Sequence, residues 1–216
     1  MLSRYRKGKM AKARVSRFAA VVFVLAALGG CARSAPVNYY ILRSMQGPVP
    51  QPKAAGPEQG MVVAVGPVNI PAYLDRPQIV TRSSPDTLKF DEFNRWAEPL
   101  GKNLARVLAD DLSARLYGAQ VCVFPWPQSV PVRYQVTLDI IHLEKVPGGK
   151  VILDASWKVL EHNGKKLLVM RRSEVTEPVE AGSGFKGIAS AESRCVAALS
   201  REIAAAIESL PATAGK

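Results

Sequence analysis

The chain has 216 residues, 48% of them hydrophobic, with 29 Lys and Arg against 18 Asp and Glu and a formal net charge of +11. Spread over a fold, that surplus would point to nucleic acid or an anionic surface. Seven of the basic residues fall within the first 17 positions, however, and the 22 that remain against 18 acids make an ordinary solvated surface, which excludes nucleic acid as a partner.

Residues 1–17 carry Arg4, Arg6, Lys7, Lys9, Lys12, Arg14 and Arg17 and no acid, and an apolar run follows from Phe18 to Leu28. A basic start, a short apolar stretch and small residues before a boundary describe a secretory signal. The run is too short to cross a bilayer, which takes about 20 residues. Leu28-Gly29-Gly30-Cys31 resembles the lipobox of bacterial lipoproteins, in which an obligatory cysteine becomes the first mature residue. By that resemblance Cys31 is acylated on its sulfur and its amine, and several chains together anchor firmly because each buried CH₂ contributes roughly 0.8 kcal/mol. The alternative is a chance cysteine beside an uncleaved anchor helix. Ala32 rather than Asp follows Cys31, which under enterobacterial sorting directs a lipoprotein to the outer membrane.

Residues 1–30 are thus expected as signal, 31–60 as anchor, short strand and linker, 61–210 as the domain, and 211–216 as a tail. Asn38 to Leu42 reads as a short strand near the anchor. Arg43 to Gly60, with Pro48, Pro50, Pro52 and Pro57, reads as a partly extended linker of at most about 60 Å that sets the reach of the domain. Met61–Val65 is a continuous apolar run, a buried strand bounded by Pro67 and Pro71. Gln78–Arg82 is a second strand, with Leu88–Phe90 able to pair with it across Ser83–Asp86.

Pro99 suits a helix start. Leu100, Leu104, Val107, Leu108, Leu112 and Leu116 recur at helical spacing, and Gly118 is placed to end the helix. Val121–Phe124 is a strand closed by Pro125-Trp126-Pro127. Arg133–Glu144 and Val151–Val159 alternate, and Asn163-Gly164 is a hairpin signal leading into Lys165–Val175, so three antiparallel strands are expected. Ile188 to Leu210 forms the last helix, with Ile188, Cys195, Leu199, Ile203, Ala206 and Leu210 on one stripe. The fold class is α+β, a mixed, largely antiparallel sheet with both amphipathic helices on one face of a single domain. Cys122 and Cys195 are the mature chain's remaining cysteines, and an oxidising periplasm would allow a disulfide between a core-facing Cys195 and the strand residue Cys122.

Catalytic signals are few. His142 and His162 lack metal-ligand spacing, no serine elbow is present, and the acid pairs Asp91-Glu92 and Asp110-Asp111 are sequence neighbours that do not share a helix face. Gly182-Ser183-Gly184-Phe185-Lys186-Gly187 matches G-x-G-x-x-G, but the 29 residues after it hold no following strand, so it reads as a loop before a helix. No enzyme activity, metal or cofactor is expected.

The stretch Val63–Arg82, "VAVGPVNIPAYLDRPQIVTR", and Arg95–Leu100, "RWAEPL", stand out. Pro71 to Pro77 cannot form a regular strand and presents Tyr73, Leu74, Asp75 and Arg76 on a stiff loop. Either these residues, with Arg82, Arg95 and Trp96, form an interaction surface, since exposed aromatics and arginines are common interface anchors, or Tyr73 and Leu74 enter the core and Arg76 pairs with an acid. "YYILRS", the "GPVNIPAYLDRPQIVTR" block, "NRWAEPLGKNLARVLADDL" and the terminal "SREIAAAIESL" resemble the PqiC/YmbA family, the ABC-type transport auxiliary lipoproteins of Gram-negative envelopes. The resemblance runs from about Tyr39 to Leu210 and does not extend to Cys122 and Cys195. It implies an outer-membrane lipoprotein that docks the channel protein of an MCE-type lipid transport system and helps phospholipid pass between membranes, with no catalytic residues. Self-association and direct binding of phospholipid in a pocket stay open. So do a structural accessory role in another envelope assembly machine and, lacking any nucleophile–base pair, a periplasmic hydrolase.

Overall fold

The computed structural model describes residues 35–44, 60–161 and 165–211. Its spine is the antiparallel meander of β6 (Tyr134–Val146), β7 (Lys150–Glu161) and β8 (Lys166–Pro178). Strict alternation builds it: Tyr134, Val136, Leu138 and Ile140 on β6 and Val151, Leu153, Ala155, Trp157 and Val159 on β7 are all buried on one side. The Asn163-Gly164 turn and His162 lie outside the described residues.

The other edge of β6 has two neighbours, so the sheet forks. Along its first half β6 pairs in parallel with β2 (Val62–Asn69), which pairs in parallel with β5 (Gln120–Val123). Near its end Lys145 meets Thr81 of β3 (Gln78–Ser84), which pairs with β4 (Thr87–Trp96), and β4 carries β1 (Asn38–Tyr40) in parallel at the outer edge. The long pairings are antiparallel and the short ones mostly parallel. Helices α1 (Leu100–Arg115) and α2 (Gly184–Glu208) pack on one face, their apolar stripes closing a core with Val63, Val65, Val136, Leu153 and Trp157. The fold is the α+β class expected from the sequence, a mixed sheet with both helices on one side, in a single domain.

Several boundaries differ for local reasons. β2 does not stop at Pro67 but runs on to Asn69 through a register shift between Val65 and Val68; a bulge is one of the places where a strand tolerates proline. Gly66 (φ +119°) sits there because a Cβ would come within 2.6 Å of Phe124 Cβ. β4 extends well past Phe90. Asp91 Oδ1 accepts the backbone N–H groups of Phe93 and Asn94, a turn inside the strand that hides its continuation to Trp96 from an alternation count. α2 begins at Gly184, inside the glycine motif, rather than at Ile188.

Two expectations are corrected. The first is the disulfide: both Cys122 and Cys195 are free. Cys122 is in register with Ala64, so it points to the face away from the helices, into a small cluster with Val62, Ala64 and Val132. Cys195 is wholly buried in the main core on the other face. Alternation along β5 therefore sends Val121 and Val123 toward the helices and Cys122 away. Burial pushes the Cys195 thiol up to about 12 and also raises that of Cys122.

The second is the tether. The compact unit begins at Val37, because β1 is a strand of the sheet. Beyond it Leu42 is 1% exposed, its N–H donating to Asn103 Oδ1 at 2.7 Å and its carbonyl accepting from Asn103 Nδ2 at 3.2 Å. The Arg43 N–H reaches Ser193 Oγ of α2 at 3.3 Å, and Ser44 Oγ reaches Asp111 of α1 at 2.5 Å. Gly60 is fixed in turn by its N–H on Gly118 O at 3.2 Å. Both ends of the segment between Ser44 and Gly60 are thus tied to the domain, so that segment does not separate β1 from it.

Candidate functional site

The loop from Pro71 to Pro77 closes on itself through the N–H groups of Leu74 and Asp75 on Pro71 O, at 2.8 and 3.2 Å. Leu74 is 2% exposed and belongs to the core. The Tyr73 hydroxyl donates to Glu144 Oε2 at 2.9 Å and lies 3.2 Å from both Ile141 O and His142 Nδ1. Arg82 grips the other carboxylate oxygen, Nε at 2.9 Å and Nη2 at 2.7 Å from Glu144 Oε1, while the Leu143 N–H donates to Oε2 at 3.0 Å. Glu144 is 1% exposed; a carboxylate so buried is tolerated because each oxygen has donors. Burial and then the charge of Glu144 hold the Tyr73 hydroxyl protonated, well above a phenol's usual value, and the hydrogen bond to Glu144 raises Arg82 further. Tyr73 and Arg82 therefore latch the loop and β3 onto β6 and are not free to bind a partner.

Of the expected surface residues, Trp96 is also in the core, 6% exposed, with its N–H on Pro77 O at 2.7 Å. Arg95 pairs at the surface with Glu92, 3.2 Å away. The remaining two are brought together with "RWAEPL": Asp75 and Arg76, with Pro77, line a hollow of about 290 Å³ whose other wall is Trp96, Ala97, Glu98 and Pro99. The Arg76 guanidinium stacks over the Phe90 ring at 4.1 Å, which orients it without an acid partner among the described residues.

A larger open groove of about 760 Å³ adjoins this hollow, sharing Asp75, Glu98 and Pro99. It lies between the ends of the parallel strands β2 and β5 and the first turns of α1, with Val68, Ile70, Ala105 and Phe124 giving it an apolar floor. Phe124 is 53% exposed. Lys102 and Arg106 form its basic side, Arg106 held by Glu98 at 2.6 Å. No sequence signal marked the groove, because its walls come from three segments far apart in the chain. Glu144 was equally hidden, since the register shift between Ile140 and His142 puts Leu143 in the core and turns Glu144 to the other face, where Tyr73 and Arg82 meet it. Among the described residues no group of three or more His, Cys, Asp or Glu side chains is placed to hold a metal, and no described helix is long and apolar enough to cross a membrane. Cys31 lies outside the described residues.

Residues 40–204 match the family model described as ABC-type transport auxiliary lipoprotein component. Two solved structures share the fold. One, of an uncharacterized protein, superposes with a TM-score of 0.66 at 20% identity, covering 80% of this chain and 99% of that one. The other, from Xanthomonas campestris, gives 0.61 at 16% identity, covering 77% and 92%. No curated protein matches the sequence.

Proposed function

Because the chain belongs to the ABC-type transport auxiliary lipoproteins, we propose that it is acylated at Cys31, held at the periplasmic face of the outer membrane, and docks the MCE-domain channel protein of an intermembrane phospholipid transport system. The observation that carries this reading is the meeting of the two family-like segments, Asp75–Pro77 and Ala97–Pro99, at one surface hollow that opens into the apolar groove. Such a surface fits a protein partner: an apolar floor to bury and a charged rim, Asp75, Arg76, Glu98 and Lys102, to set register. The domain acts by positioning and binding, with the acyl chains of Cys31 keeping it at the membrane and the hollow presented to the channel end. Passage of phospholipid would belong to the assembled system.

The test is a pulldown of the full-length lipoprotein from solubilised envelopes, with partners identified by mass spectrometry, beside an Asp75→Lys/Arg76→Glu variant. Wild type recovers an MCE-domain protein and the variant loses it. Recovery with both moves the docking surface elsewhere, and recovery with neither removes the transport reading and favours a structural accessory role.

A further inference from the structure

β1 and the residues that flank it, Val37 to Leu42, differ in burial, with Asn38 exposed at its start. Tyr40 and Leu42 turn inward, the first packed on the core and the second 1% exposed, and the Tyr40 hydroxyl donates to Asn94 at 2.9 Å. Val37, Tyr39 and Ile41 turn outward, 38%, 66% and 48% exposed. Tyr39 stands beside Arg95 in the parallel register with β4, and Phe93, two residues back along β4, is 47% exposed. One corner of the sheet thus presents two aromatics, two aliphatics and an arginine whose charge Glu92 already balances. The other large exposed apolar residues among those described are Phe90 on β4, under the Arg76 guanidinium, Tyr117 in the α1–β5 connection, Phe124 just after β5, and Leu167 and Met170 on β8.

What covers this corner follows from chain length. Only five residues separate Cys31 from Val37, and a fully extended stretch of that length spans about 20 Å. A domain of this size is about 40 Å across, so a chain acylated at Cys31 cannot turn a distant side to the membrane. We propose that the outward face of β1 and the end of β4, Val37, Tyr39, Ile41, Phe93 and Arg95, rests in the interfacial layer of the bilayer that holds the acyl chains. The proposal rests on acylation of Cys31 as read above. Tyrosine and arginine suit the headgroup layer, where an apolar body is buried and a polar end stays wet. With Arg95 neutralised by Glu92, the contact depends on apolar burial rather than on anionic lipid. The domain is then held close to the membrane with one orientation instead of swinging on a long tether.

The acylated full chain, with Cys122→Ser to leave one accessible thiol, is labelled with an environment-sensitive nitrobenzoxadiazole at Tyr39→Cys or, separately, Ile41→Cys. It is then reconstituted in phosphatidylethanolamine–phosphatidylglycerol vesicles. Leu167→Cys, on the exposed start of β8 at the opposite edge of the sheet, is the reference. The expected result is emission shifted to shorter wavelength and quenched by nitroxide-bearing lipid at positions 39 and 41 and neither at 167. Acylated protein that floats with the vesicles but shows no shift at 39 or 41, or equal quenching at 167, overturns the proposal while leaving the lipoprotein reading intact. A mass spectrum without acyl chains on Cys31 overturns both.

Discussion

Glu144 on β6 and Glu192 on α2 are each 1% exposed, yet their surroundings differ. Glu144 has Arg82 on one oxygen and Tyr73 and the Leu143 N–H on the other. Glu192 keeps its Oε2 without a partner among the described residues. Burial first, and the charge of Glu144 second, push the Glu192 carboxyl well above its ordinary value, which favours its protonated form. The difference teaches what each acid does: the first ties three segments together through the donors on its two oxygens, and the second, buried without a partner on Oε2, is pushed toward its protonated form.

The comparison breaks most visibly at Glu144. Glu144→Ala leaves Arg82 without its counter-charge and Tyr73 without its acceptor, and is expected to cost about 3 kcal/mol in chemical denaturation. Arg82→Lys keeps the charge but loses the two-pronged grip, an expected loss of about 1.5 kcal/mol. Its double mutant with Tyr73→Phe should be non-additive because both act on one carboxylate. At Glu192 the sign reverses. Its folded value is raised, so the folded state binds a proton that the unfolded chain releases above about 4.5. The group therefore destabilises the fold progressively as pH rises from there toward its folded value. Glu192→Gln should flatten that decline, by at most about 1.4 kcal/mol per pH unit, and denaturation of both proteins between about pH 5 and 7 measures it. An unchanged slope would mean that Glu192 is charged in the fold. The smallest effect is that of Tyr73→Phe alone, about 1 kcal/mol for one hydrogen bond, read from the same denaturation curves.

Cys122 shows how a sequence reading goes astray by one position. A strand was legible from Val121 to Phe124, observed as Gln120–Val123, and the stripe of α2 placed Cys195 correctly in the core. Which of two alternating faces a four-residue strand turns to the helices depends on its register with β2, Ala64 opposite Cys122, and no local pattern carries that information. The same limit applies to the chain before the linker expected over Arg43–Gly60, whose residues 45–59 lie outside those described. That the chain before it is already part of the sheet required the pairing of Asn38–Tyr40 with Asn94–Trp96.

By itself the sequence determined the periodic elements, the meander from period-two alternation and both helices from their apolar stripes, and the family from the blocks around Pro71 and Trp96. These signals are local, and each is readable within about twenty residues. Tertiary structure alone decided which polar residues are buried, which expected surface residues became latches, how the groove is walled, and that Asn38–Tyr40 joins the sheet beside β4. Those properties arise from contacts between segments well separated in the chain, such as Tyr73 with Glu144 and Arg43 with Ser193, and burial is a property of such contacts rather than of any one stretch of chain.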